Sequence, residues 1–201
     1  MEIAATMVKE LREITGAGIL DCRKALEATE GDMEKAIDHL REKGLAAAAK
    51  RMDREAKDGL IEAYIHAGSR VGVLVEVNCE TDFVARTDEF QQLVRDIALQ
   101  IAAMAPRYVS RAQIPDEVIA REREVYRAQA LEEGKPESVI DRIIEGRLEK
   151  FYAQACLLEQ DFIRDDESTI EELLKAAISR IGENIVIRRF TRYELGESLE
   201  G

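Results

Sequence analysis

Cysteine is scarce in this chain and poorly spaced for chemistry. Cys22, Cys79 and Cys156 are odd in number, lie far apart and form no Cys-x-x-Cys pair, which excludes the spacing of a disulfide framework or a zinc site. They read as small, reduced, mostly buried side chains. Histidine is scarcer still, with His39 and His66 as the only candidates for a neutral-pH base. A thiol nucleophile built from Cys79, His66 and Asp82 can be drawn, but nothing in the spacing fixes its geometry. No apolar run approaches the roughly 20 residues of a membrane span, and Met1-Glu2-Ile3-Ala4-Ala5-Thr6 lacks the basic start and apolar core of a signal peptide. A cytoplasmic chain without membrane contact is the expectation. No Gly-x-x-x-x-Gly-Lys-Ser/Thr loop occurs, and Gly16-Ala17-Gly18 follows no strand pattern, so the chain is not expected to bind GTP itself. Neither metal nor cofactor is expected.

Positive charge is also in short supply. Forty-one acidic against 29 basic residues leave a net charge of −12, which repels phosphate backbones and disfavours direct nucleic-acid binding. Arg188, Arg189 and Arg192 form one local basic cluster, read as ordinary charged surface. With 35% charged residues, pairs such as Asp165-Asp166 read as solvated surface and not as acid–base partners. A 46% hydrophobic content in 201 residues is enough to fill the core of one or two small domains.

Residues 1–44 read as a three-helix docking module. Val8, Leu11 and Ile14 mark the first stripe, Cys22, Ala25 and Leu26 the second, and Met33, Ile37 and Leu40 the third, with Asp32 as cap and Gly44 as closure. Residues 45–58, Ala-rich and then charged, read as a tether. Residues 59–201 then form an α+β core with a small antiparallel sheet. Leu60–His66 and Val71–Cys79 flank a turn at Ala67-Gly68-Ser69-Arg70, and Ile185, Val186, Ile187 and Phe190 mark a third strand. Phe90, Leu93, Val94, Ile97 and Ile101 repeat at helical spacing. Pro115 and Pro136 start two charged helices of a hairpin over 115–152, with Val118, Val125, Val139, Ile143 and Phe151 as its apolar sides.

The most informative stretch is Asn78-Cys79-Glu80-Thr81-Asp82-Phe83-Val84-Ala85-Arg86. An apolar face of Val71, Val73, Val75, Val77 and Cys79 at period two ends here in a polar turn, and Thr87 with Asp88 and Glu89 suits the start of a helix. Such a connection runs over the surface, where Phe83 either folds back into the core or meets a partner. Considered alone, Phe83 reads as core.

That stretch resembles the Thr-Asp-Phe-Val-Ala segment of bacterial elongation factor Ts, the family of guanine-nucleotide exchange factors for elongation factor Tu. Leu11-Arg12-Glu13-Ile14-Thr15-Gly16-Ala17-Gly18-Ile19-Leu20-Asp21-Cys22-Arg23-Lys24-Ala25-Leu26 resembles the family's N-terminal signature, and Glu145-Gly146-Arg147 with Lys150-Phe151 a late one. The resemblance spans nearly the whole chain in the expected order. It implies a ubiquitin-associated-like fold for the first module and docking on elongation factor Tu through Arg12, Ile19, Leu20 and Arg23. It also implies that Thr81, Asp82, Phe83 and Val84 enter near the partner's magnesium site, Phe83 as an apolar wedge and Asp82 disturbing the water and hydrogen bonds around the metal. No catalytic residue is implied, since exchange needs no covalent step.

The chain departs from the family pattern in places. Arg23 stands where Lys is frequent, Ile19-Leu20 where Met is frequent, and Asp161 where Pro is usual. It resembles the short form, with one core module where long members have two, which implies a noncovalent homodimer paired through a sheet edge or the 115–152 hairpin. Thr191 offers no thiol in the last strand. A ubiquitin-associated-like adaptor is the alternative function and leaves Thr81-Asp82-Phe83 without a role.

Overall fold

The computed structural model describes residues 3–198, and of Asp166 the backbone alone. Its elements run α1 (Ala5–Thr15), α2 (Ile19–Ala28), α3 (Met33–Ala49), β1 (Asp58–Ile65), β2 (Val71–Cys79), α4 (Asp82–Ala85), α5 (Asp88–Met104), α6 (Asp116–Glu132), α7 (Glu137–Ala155), β3 (Asp161–Phe162), β4 (Asp165–Thr169), α8 (Ile170–Ile181) and β5 (Val186–Glu194). The fold is α+β with a small antiparallel sheet. Two compact units divide it. The first holds residues up to Gly59, Asn78–Gln91 and Glu172–Val186; the second holds Leu60–Val77, Gln92–Glu171 and residues from Ile187 onward.

In the first unit, α1 to α3 bury Val8, Leu11, Cys22, Ala25, Leu26 and Ala36 against one another, following the helical stripes of the sequence. The Gly16 N–H bonds the Arg12 carbonyl at 2.8 Å and ends α1. Asp32 caps α3 by accepting from the Lys35 N–H at 3.1 Å. Two expectations fail here. Ile14 is 57% exposed and not part of the stripe. Gly44 does not close α3, which continues to Ala49. Its role is close approach, because a Cβ at 44 would stand 2.6 Å from the Ser179 hydroxyl oxygen on α8. A glycine signal for a helix end and one for helix contact are identical in sequence.

In the second unit the strand order is β1-β2-β5. The β1–β2 turn closes with the His66 N–H donating to the Val71 carbonyl and the Ser69 N–H to the His66 carbonyl, each at 2.9 Å. Val73, Val75 and Val77 are buried at period two, as alternation requires when one sheet face is covered. Helices α6 and α7 form the expected hairpin, with Pro115 and Pro136 each just ahead of a first helical residue. Its inner face follows the expected one in part: Phe151 and Val118 pack with Ile114, and Ile143 packs against Ala130, Ile140, Ile144 and Leu148, while Val125 and Val139 are exposed. The 137–148 segment carries two adjacent aliphatic pairs, Val139-Ile140 and Ile143-Ile144, and spacing alone does not choose which register faces the partner helix.

The β3–β4 hairpin around Asp161 was not anticipated. Asp161 pairs with Thr169 and Phe162 with Asp165, in a sequence with no apolar alternation. Its anchor is polar and distant: Gln100, fully buried on α5, donates from Nε2 to the Asp161 carbonyl at 3.0 Å and accepts from the Ile163 N–H at 2.9 Å.

Candidate functional site

The stretch after β2 is a one-turn helix held between two threonine caps. Thr81 has extended backbone, and its Oγ1 accepts from the Val84 N–H at 3.4 Å to cap α4. Thr87 closes the turn and opens the next helix, since its Oγ1 donates to the Val84 carbonyl at 2.8 Å and accepts from the Phe90 N–H at 3.3 Å. The second cap was legible in the sequence. The pair turns Ala85 inward and leaves Phe83 outside, 79% exposed. The stand-alone reading of Phe83 as core is therefore corrected. The core aromatic of this region is Phe90, which is fully buried.

Asp82 lies beside Phe83 with its carboxylate 2.8 Å from Arg86 Nη2, and Val84 is half-buried. The start of the turn is tied to the chain beyond α8. Glu183 accepts from the Glu80 and Thr81 N–H groups at 3.0 Å each and from the Thr81 hydroxyl at 2.7 Å. Sequence reasoning missed Glu183, because it lies about a hundred residues away in the chain and belongs to no motif.

The N-terminal candidates lie in the same compact unit. Arg12, Ile19 and Arg23 line one open groove with Lys9 and Val8, and Arg23 also pairs with Glu27 at 3.0 Å. Leu20 does not line that groove but is 72% exposed. Within the unit, Arg180 connects the two regions. Its Nε lies 2.8 Å from Glu89 on α5, and its Cδ would lie 3.3 Å from a Cβ at Gly16. Lys43 of α3 bonds Asp21 of α2 at 2.7 Å and holds that carboxyl below the ordinary range.

The groups considered for other chemistry are engaged elsewhere. The buried Cys79 thiol donates to the Thr81 carbonyl at 3.1 Å, and burial, with the Glu183 charge adding to it, pushes its pKa up to about 11. A thiol held protonated at neutral pH is a poor nucleophile. His66 Nδ1 is 2.9 Å from the Tyr64 hydroxyl. Arg189 and Arg188 meet Glu76 at 2.7 and 3.6 Å, and Arg192 meets Glu194 at 2.8 Å, so the basic cluster is partly neutralised. All three cysteines are free and buried. Among the described residues, no helix is long and apolar enough to cross a membrane, and no group of three or more His, Cys, Asp or Glu side chains is placed to hold a metal ion.

Phe83 on its capped turn, with Ile19 and Leu20 on α2, leaves large apolar side chains exposed in the first unit. Comparison with known proteins gives the chain a family. The family model described as elongation factor TS matches residues 2–197. The chain is 63% identical over 198 residues to the elongation factor Ts of Thermoanaerobacter pseudethanolicus, covering 98% of this chain and 97% of that one. It is likewise 63% identical over 198 residues to that of Caldanaerobacter subterraneus subsp. tengcongensis, covering 98% and 99%. With the elongation factor Ts of Carboxydothermus hydrogenoformans it shares 62% identity over 197 residues, covering 98% and 91%. The chain belongs to the elongation factor Ts family.

Proposed function

We propose that this chain is a guanine-nucleotide exchange factor for elongation factor Tu in translation elongation, acting in the cytoplasm by binding and not as an enzyme. Family membership supports the activity, and the observation that carries the site is Phe83, 79% exposed on a turn capped at both ends. An unburied Phe adds little to its own fold and gains from burial only when a partner covers it. Residues 1–44 act as the docking module, with Arg12, Ile19, Leu20 and Arg23 as contacts. The core from residue 59 onward, joined through 45–58, presents Thr81, Asp82, Phe83 and Val84 to the partner's magnesium site.

Phe83 wedges between partner helices, and Asp82 disturbs the water and hydrogen bonds that hold magnesium. GDP loses electrostatic support and leaves. The factor binds nucleotide-free partner better than GDP-bound partner, and GDP must weaken its binding by the same factor. Direction then comes from the nucleotide pool. The chain works as a homodimer, a reading supported by the exposed aliphatic and aromatic side chains Ile61, Ile65, Leu74 and Tyr193.

The deciding measurement is release of fluorescently labelled GDP from elongation factor Tu. The full chain should speed it in a concentration-dependent, saturable way. No acceleration, together with retention of a ubiquitin-like protein in a pull-down, would select the adaptor alternative.

A further inference from the structure

A four-residue helix cannot hold itself. One turn fixes several backbone dihedrals for a single intrahelical bond, so α4 must take its geometry from outside. Its N-cap is Thr81, whose Oγ1 is kept facing the Val84 N–H by a second hydrogen bond, to one side-chain acceptor. That acceptor is Glu183 Oε1, at 2.7 Å, while Oε2 of the same carboxylate takes the Glu80 and Thr81 N–H groups. One side chain thus fixes the rotamer of the cap and the backbone leading into it.

Glu183 is itself held. Gly182, at φ 85°, takes the left-handed turn that ends α8, and the next residue but one, Asn184, is almost fully buried. The Asn184 N–H donates to Glu80 Oε1 at 2.7 Å, and its Nδ2 donates to the Met52 and Arg54 carbonyls at 3.1 and 2.6 Å. Glu80 and Glu183 therefore clasp reciprocally, each carboxylate accepting from the backbone at or next to the other residue. Charge-assisted bonds in this number restrict the turn more than α4's own bonds do.

We propose that Glu183 is a positioning residue for exchange: it sets the direction in which Phe83 leaves the surface. This rests on the reading of residues 81–84 as the exchange element. Glu183 touches no partner in this role and acts through Thr81. Gln can satisfy the same geometry, because its amide oxygen can accept from both N–H groups while its amide nitrogen donates to the Thr81 hydroxyl oxygen. Ala cannot.

The test uses the full chain, with the limiting rate of labelled GDP release from elongation factor Tu, the half-saturating concentration and the thermal midpoint read for each variant. Glu183→Ala should lower the limiting rate by roughly ten- to a hundredfold, the scale on which small misplacement of a contacting group acts. Glu183→Gln should stay near wild type. In a Phe83→Ala background, Glu183→Ala should add little, because both changes disable one element. Fully multiplicative losses would overturn the inference, as would a Glu183→Gln rate as low as that of Glu183→Ala, which would assign the effect to charge. If Glu183→Ala does not fold, Glu183→Asp takes its place: too short to hold all three donors, it must slow exchange while folded, and wild-type exchange from it overturns the role. If Phe83→Ala slows exchange and Glu183→Ala does not, positioning alone fails. If Phe83→Ala exchanges normally, the exchange reading of the turn fails and takes this inference with it.

Discussion

The Asp82 carboxylate rests 2.8 Å from the Arg86 guanidinium, one helical turn further along and flanking exposed Phe83. Both partners are largely exposed, so the pair contributes under about 1 kcal/mol and opens easily. A partner that offers Asp82 a different contact therefore meets little resistance.

Asp82→Ala should slow GDP release from elongation factor Tu more than it weakens binding to the nucleotide-free partner. Chelating magnesium should shrink the defect, because the carboxylate is assigned to the metal's surroundings. Equal losses in rate and affinity, unaffected by chelation, would make Asp82 an anchor only.

Phe83→Ala should separate function from stability. At 79% exposure the truncation should change folding stability by no more than about 0.5 kcal/mol, while loss of a buried aromatic anchor at an interface costs about 2 kcal/mol or more. Denaturant melts and GDP-release rates on the same preparation check both. Phe90→Ala is the counterpart and should cost roughly 3–5 kcal/mol of stability.

The contrast between these two phenylalanines marks how far the sequence could be read. Period-two valines and helical stripes placed β2, α1, α2 and α5 because burial of one face leaves a periodic trace. Thr87 and Asp32 were legible as caps because capping is local. Phe83 was not resolved by its own context, since an aromatic in a connection carries the same letters whether it turns in or out, and the family resemblance supplied the direction. Glu183, Gln100 and the Gly44–Ser179 contact left no trace, because each acts between segments far apart in the chain. Val139 in the hairpin was misplaced for a related reason, as the adjacent aliphatics Val139-Ile140 satisfy two helical faces equally.

The N-terminal docking reading predicts a similar separation. Leu20→Ala, at a site 72% exposed, should leave stability within about 0.5 kcal/mol of wild type yet raise the concentration of factor needed for half-maximal exchange. Leu26→Ala, in the same helix and fully buried, should instead cost about 2–5 kcal/mol of stability. Titration curves for GDP release and melts of both variants distinguish contact from core.

The buried Cys79 thiol should make stability fall in mild alkali. Its pKa stands at about 11 in the fold against an ordinary value of 9.0, so between those values the unfolded chain releases a proton that the folded chain keeps. Stability from this group is full below pH 9 and is lost as pH rises toward 11, with a slope approaching about 1.4 kcal/mol per pH unit. Cys156, also raised to about 11, adds a second contribution of the same sign. Cys79→Ala should melt with a shallower dependence over that window; an unchanged slope would mean that Cys79 titrates alike in both states.

Self-association should depend on the outer face of the sheet. Leu74 is 50% exposed there, and Ile65 and Tyr193, each 64% exposed, line the same shallow groove. A single apolar side chain at a surface needs no partner, but several together make a patch that twofold pairing can bury against its own copy. Light scattering at micromolar concentration should give twice the 22.6 kDa of one chain, unchanged by reducing agent because the cysteines are buried and free. Leu74→Glu should return the monomer mass, since a twofold contact would bring two new carboxylates into one desolvated interface. A monomer mass for the unmodified chain that persists on concentration would sink the dimer and leave exchange to a single copy. A dimer mass that survives Leu74→Glu would move the contact away from this face, with the exposed Val125 and Val139 of the helical hairpin as the next site to substitute.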